Sequence, residues 1–143
     1  MNPIHILLVE DNEGDILLTT EALQEGKILN KITVARDGRQ AVDFLSKTGE
    51  YANAEAPNLI LLDINLPKKN GHEVLQFIKT NDKLKLLPVI MLTTSSAERD
   101  ISMAYNNHAN CYITKPVDVD DFMEAVLKME DFWINIVKLP NTK

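Results

Sequence analysis

Leu59-Ile60-Leu61-Leu62-Asp63 is a run of four large aliphatic residues that stops on a carboxylate. Three more short apolar runs end the same way, on a polar residue. Ile4-His5-Ile6-Leu7-Leu8-Val9 precedes Glu10 and Asp11, Val89-Ile90-Met91-Leu92 precedes Thr93, and Cys111-Tyr112-Ile113-Thr114 precedes Lys115. Short apolar runs with helical patterns between them read as strands of a parallel sheet buried on both faces. In such a sheet the ligand crevice lies outside the carboxyl ends of the strands. Glu10, Asp11, Asp63, Thr93 and Lys115 are therefore expected to meet in one crevice, fit for a divalent cation and a phosphoryl group.

The segments between the runs supply the helices. Asn12-Glu13-Gly14-Asp15 reads as a helix start, with Asn12 as cap and an acid three residues on. Ile16, Leu17, Thr20 and Leu23 continue at helical spacing, and Gly26 is the expected stop. Ile32-Thr33-Val34-Ala35 is a short second strand, less apolar than the others. Asp37-Gly38 turns into a helix through Ala41, Val42 and Leu45, and Thr48 to Pro57 is a polar surface loop. Asn65 to Gly71, with Pro67 inside it, is a loop before a third helix carrying Val74, Leu75 and Ile78. Ser95-x-x-Glu98 predicts a capping box on a fourth helix. Asp118-Val119-Asp120 starts a last helix expected to run to about Leu139. Five strand–helix units predict a (βα)5 doubly wound, three-layer α/β fold, one domain over residues 1–143.

Composition limits the function. The chain has 143 residues, 45% hydrophobic and 25% charged, with a net charge of -6. An acidic chain lacks the basic patch that nucleic-acid binding requires. No apolar stretch approaches the ~20 residues of a membrane span, and no basic-then-apolar leader opens the sequence. Cys111, the one cysteine, rules out an internal disulfide and fits a reducing compartment. A cytoplasmic domain with neither nucleic-acid nor membrane partners is expected.

Charge decides what the crevice can hold. Carboxylates about 4 Å apart repel by about 4 kcal/mol per pair at an effective dielectric near 20. A cluster at 10, 11 and 63 must raise its pKa values or hold a cation. Oxygen donors, with Asn65 two residues past Asp63, suit Mg²⁺. Asp63 is also a candidate nucleophile, since a carboxylate takes a phosphoryl group as an acyl phosphate. Lys115 would neutralise the transferred charge, and Thr93 would donate a hydrogen bond to a phosphoryl oxygen.

With these residues in place the chain resembles the receiver domain of two-component response regulators. The matching fragments are Leu7-Leu8-Val9-Glu10-Asp11-Asn12, Asp37-Gly38 with Ala41, Leu61-Leu62-Asp63-Ile64-Asn65-Leu66-Pro67 with Gly71, Leu92-Thr93-Thr94, and Tyr112-Ile113-Thr114-Lys115-Pro116. They occur in the family's order across nearly the whole chain. The resemblance implies a flavodoxin/CheY-like fold with Asp63 as phosphoacceptor. It places Asp11, Asp63 and the Asn65 backbone carbonyl on Mg²⁺, with Glu10 in the acidic pocket acting through water. Thr93 and Lys115 contact the phosphoryl group, and Tyr112 is the aromatic partner of the switch. Pro116 is implied to follow a cis peptide that aims Lys115 into the crevice; an X-Pro bond is otherwise trans by default. Leu66 stands where members usually carry Met, and Thr94, larger than the usual Ala, is expected to narrow access and slow phosphotransfer. Within the family the chain is similar to stand-alone regulators paired with cyanobacterial and bacterial phytochromes, through Glu10 to Asp15, Thr93 to Ser96, Ala109 to Val117, and Asp131-Phe132-Trp133 to Pro140. That likeness implies a phytochrome-type histidine kinase as partner.

No DNA-binding or catalytic segment follows the domain, so output is expected through the receiver's own surface near the fourth helix, fifth strand and fifth helix. Val119, Phe122, Met123, Val126, Met129, Trp133 and Val137 form one apolar stripe on the last helix. Leu127, Phe132, Ile134, Ile136 and Leu139 lie largely off it. One face should pack on the sheet and leave Phe132, Trp133 and Ile136 for a second copy in a two-fold dimer. Two other functions compete. A Mg²⁺-dependent aspartyl-phosphate hydrolase wants a second carboxylate two residues after the nucleophile, where Asn65 stands. A phosphorylation-independent docking domain would lack a pocket residue, and none is missing. A signalling module rather than an enzyme is the expectation.

Overall fold

In the computed structural model the apolar runs are strands and the periodic segments helices. Residues 4–26, 30–136 and 138–139 are described, with 134–136 as backbone only. The chain runs β1 Ile4–Val9, α1 Glu13–Glu25, β2 Asn30–Ala35, α2 Gly38–Ser46, β3 Leu59–Leu62, α3 Gly71–Thr80, β4 Val89–Thr93, α4 Glu98–Asn106, β5 Cys111–Thr114 and α5 Val119–Glu130. A short 3₁₀ turn, Gly49–Tyr51, interrupts the polar loop after α2, and a π-helical segment, Asp131–Ile136, extends α5.

The five strands form one sheet in the order β2-β1-β3-β4-β5, every neighbouring pair parallel. Alternate residues of the inner strands feed two separate core layers. Leu7, Val9, Ile60, Leu62 and Met91 pack with Phe44 of α2, Val74 and Ile78 of α3 and Ala104 of α4. Ile6, Leu8, Leu59, Leu61 and Ile90 pack with Ile16 and Leu23 of α1 and Phe122, Val126 and Met129 of α5. This is the expected doubly wound, three-layer α/β fold. β2 and β5 are the edge strands and are only half-buried, which is why β2 looked the least apolar.

Register sets the level of the site. Val9 pairs with Leu62, Leu62 with Met91 and Thr93 with Thr114. The next residues in sequence, Glu10 and Asp63, therefore leave the sheet side by side, and Lys115 stands two residues further along β5 than their level. Strand order reverses between β1 and β3, which is where an open α/β sheet opens its ligand crevice.

Several local expectations are corrected. β2 begins at Asn30, two residues early, because its pairing with β1 extends to Ile4↔Asn30. Gly26 stops α1 as expected, though with φ -62° and ψ 155° rather than in the left-handed region. Its role is close approach: a Cβ there would lie 1.6 Å from Glu130 Oε1. α4 starts three residues after Ser95, at Glu98, with Ala97 as an uncapped N-cap. The Ser95 hydroxyl donates instead to Asp100 Oδ2 at 2.5 Å. α5 ends at Glu130 and passes into π-helical turns rather than running on to Leu139. Leu127 and Leu139, expected off the buried stripe, pack against the second core layer, whereas Val119 on the stripe is 53% exposed. Val137 and the side chains of Ile134 and Ile136 lie outside the described residues.

Candidate functional site

Backbone ladder bonds carry on one residue past each strand and pin the site. Glu10 N donates to Ala35 O at 3.0 Å, Asp63 N to Val9 O at 3.1 Å, and Lys115 N to Thr93 O at 2.7 Å. Glu10, Asp63, Thr93 and Lys115 are all buried, while Asp11 is exposed at the mouth. Carboxylate oxygens of Glu10, Asp11 and Asp63 lie within 4.8 Å of one another. The strand ends thus place Glu10, Asp11, Asp63 and Lys115 together, with Thr93 buried at the end of β4.

Lys115 lies across the cluster. Its Nζ donates to a Glu10 oxygen, to Asp63 Oδ2 at 3.1 Å and to Asp15 Oδ2 at 2.9 Å. Burial alone would lower the lysine pKa, but the hydrogen bonds to Glu10 and Asp15 outweigh it and hold the ammonium charged. Burial pushes Glu10 up to about 7, with the Lys115 hydrogen bond opposing that rise and the Asp63 charge adding to it. Asp15 was missed as a site residue. Its spacing from Asn12 reads as helix-start chemistry, and only the tertiary fold brings it to Lys115.

The remaining expected residues surround this centre. Asn65 is exposed, and its N–H donates to Asp63 Oδ1 at 3.3 Å. Thr93 Oγ1 accepts from Ser95 N at 3.4 Å, and the half-buried Tyr112 donates its hydroxyl proton to Ser95 O at 2.8 Å. Gly71 N donates to Ile64 O at 2.8 Å, and a Cβ on Gly71 would lie 2.1 Å from Asp63 O, so only glycine fits behind the acceptor loop. Pro67 O accepts from Gly38 N and Lys69 N in the same loop. The bond before Pro116 is trans, contrary to expectation, since no described peptide is cis. The trans form is the intrinsic preference of an X-Pro bond, and Lys115 reaches the carboxylates from it. Phe132 is 50% exposed and stacks edge-on against the half-buried Trp133, away from the crevice.

The donor set answers the question of a metal. Three carboxylates with no nitrogen or sulfur ligand make a hard-oxygen site, which fits Mg²⁺ or a similar cation. Asp11 is exposed, while the buried Glu10 and Asp63 share the Lys115 ammonium. Among the described residues no helix is long and apolar enough to cross a membrane.

Known proteins resemble this chain over most of its length. A family model for the response regulator receiver domain matches residues 6–127. Response regulator Rcp1 of Synechocystis sp. is 48% identical over 138 residues, 96% of this chain and 94% of its own length. The crystal structure of the phosphorylated cyanobacterial phytochrome response regulator RcpA superposes with a TM-score of 0.95 at 46% identity, over 98% of this chain and 100% of that one. The Mn²⁺-bound form of Rcp1 does so with a TM-score of 0.95 at 47% identity, over 97% and 100% of the two chains.

Proposed function

The chain belongs to the response regulator receiver family, and on that premise we propose that it is a single-domain response regulator which takes a phosphoryl group from a phytochrome-type histidine kinase onto Asp63. The carrying observation is the placement of Asp63. It is buried at a strand end, open to the crevice, with two further carboxylates beside it and the Lys115 ammonium 3.1 Å away. The likeness to RcpA and Rcp1 supports the phytochrome-type partner.

Asp11, Asp63 and the Asn65 carbonyl would hold Mg²⁺, with Glu10 through water, and the cation would neutralise charge on the group being transferred. Everything else falls to the chain. An Asp63 oxygen attacks phosphorus as the bond to the donor imidazole breaks, and Lys115 moves one N–H onto a phosphoryl oxygen. Thr93 turns its hydroxyl to another, releasing the Ser95 N–H it accepts at rest. Tyr112 is tied to the carbonyl of the same Ser95 and moves with it. A local charge change thereby biases a two-state element on the α4–β5–α5 face. No turnover of outside substrate is part of this scheme. The kinase would be met in the cytoplasm, whose reducing conditions suit the free thiol of Cys111.

Acetyl phosphate with Mg²⁺ should add one phosphoryl mass to the native protein and none to Asp63→Asn. Absence of the adduct would leave a phosphorylation-independent docking domain, and rapid turnover of phosphate esters would indicate a hydrolase.

A further inference from the structure

Lysine has three N–H donors, and those of Lys115 are matched by Glu10, Asp15 and Asp63. Glu10 and Asp63 belong to the acidic triad; Asp15 does not. Asp15 stands at the third position of α1, where the acid of a capping box reaches back to the N-cap. In α3 that acid behaves so: Asn70 N donates to Glu73 Oε1 at 3.1 Å while Asn70 Oδ1 accepts from Glu73 N at 3.0 Å. α1 makes only half of the box. Asn12 Oδ1 accepts from Asp15 N at 2.9 Å, but Asn12 N donates to Glu10 Oε2 at 3.3 Å. The Asp15 carboxylate is turned to an ammonium 100 residues away instead.

Exposure orders the three partners. The side chains of Glu10 and Asp63 are 3% and 8% exposed, that of Asp15 27%. A phosphoryl group joins Asp63 from the solvent side, so its charge lies farther out than the carboxylate oxygen it uses. Nζ must lean outward to meet it, and Asp15 is the Lys115 partner on that side.

We propose that Asp15 is a positioning residue for phosphoryl capture, tethering the buried Lys115 Nζ from the solvent side of the crevice. The tether spares the incoming group the task of ordering a flexible four-carbon stem. This inference rests on Asp63 as phosphoacceptor. During transfer an Asp63 oxygen–phosphorus bond forms, the bond from phosphorus to the leaving group breaks with its electron pair, and Lys115 keeps its proton.

The test is fluoroberyllate binding with Mg²⁺, followed by calorimetry, in the native chain, Asp15→Asn, Lys115→Met, the double variant and Asp15→Glu. Asp15→Asn should weaken binding about tenfold, as expected for one lost charge-assisted hydrogen bond. Lys115→Met should weaken it further, the double variant no further still, and Asp15→Glu should recover most of the native affinity. Native affinity in Asp15→Asn overturns the proposal. So does an equal loss in both Lys115 backgrounds, which would make Asp15 a charge acting on the cation. Melting curves check folding, and Asp15→Ser, which keeps a small polar group at the helix start, stands in if Asp15→Asn is unfolded. A native chain that takes neither fluoroberyllate nor acetyl phosphate removes the phosphoacceptor reading and the tether with it. Native uptake unchanged by Asp15→Asn removes the tether alone.

Discussion

Glu130 puts a titration into the fold far from the crevice. It is 2% exposed, at the last position of α5, where Asn30 Nδ2 donates to its Oε2 at 3.1 Å and Gly26 lies against Oε1. Burial, and then the charge of Asp131, push its carboxyl from an ordinary 4.5 up to about 7. The folded chain thus holds this proton more tightly than the unfolded one. Stability from the protonated group is complete below about pH 4.5 and drains away as pH rises to about 7. Glu130→Gln should flatten that part of the pH profile and raise stability above pH 7, by a few kcal/mol at most. Equal slopes in native and variant melting curves between pH 5 and 7 would refute the assignment. Single residues also mark the limit of what sequence shows. Glu10, Asp63, Thr93 and Lys115 were legible because a strand end fixes where each side chain emerges. Asp15 was not, because Asn12-x-x-Asp15 and Asn70-x-x-Glu73 are the same local pattern, and only distant partners set their roles apart.

At the scale of elements, the start of α4 is built from side chains rather than from a cap. Ser95 Oγ donates to Asp100 Oδ2, accepts from Ala97 N at 3.4 Å, and His72 Nε2 of α3 meets Asp100 Oδ1 at 3.1 Å. The hydrogen bond from Ser95, and then that from His72, hold the Asp100 carboxyl below its usual pKa. This cluster ties the loop after Thr93 to two helices. Ser95→Ala should destabilise the fold by about 1 kcal/mol, seen as a lower melting temperature with the sheet intact. No loss would show that the hydroxyl carries no weight there. Ser95-x-x-Glu98 misleads because a capping box is a local motif, while the serine answers an aspartate one turn into the helix. The second strand reads too short for a related reason: Asn30 and Lys31 are polar but still pair along β1.

For the whole molecule, the strand order β2-β1-β3-β4-β5 came from the fold, whereas the parallel sheet and its layers were legible because buried parallel strands leave the plainest of sequence patterns. What the molecule does with its outer surface was less so. An apolar groove between β5 and α5 is lined by Cys111, Ile113, Met129, Phe132 and Trp133, and Phe132 is half exposed; we propose that a second copy covers it in a two-fold dimer. Phe132→Glu should convert a sedimenting dimer to monomer and leave acetyl phosphate labelling of Asp63 untouched. An unchanged sedimentation coefficient would end the dimer proposal. The π-helical turns of Asp131–Ile136 give this face a further property. A π turn accommodates one residue more than an α turn, so the segment acts as a phase shift in the helix. Loss of one residue at its start would restore regular winding and turn the helical side chains that follow, Phe132 and Trp133, by about 100°. The direction in which Phe132 and Trp133 face is thus encoded by residue count as much as by residue identity, and a one-residue deletion there would act on the outer face as a change of direction.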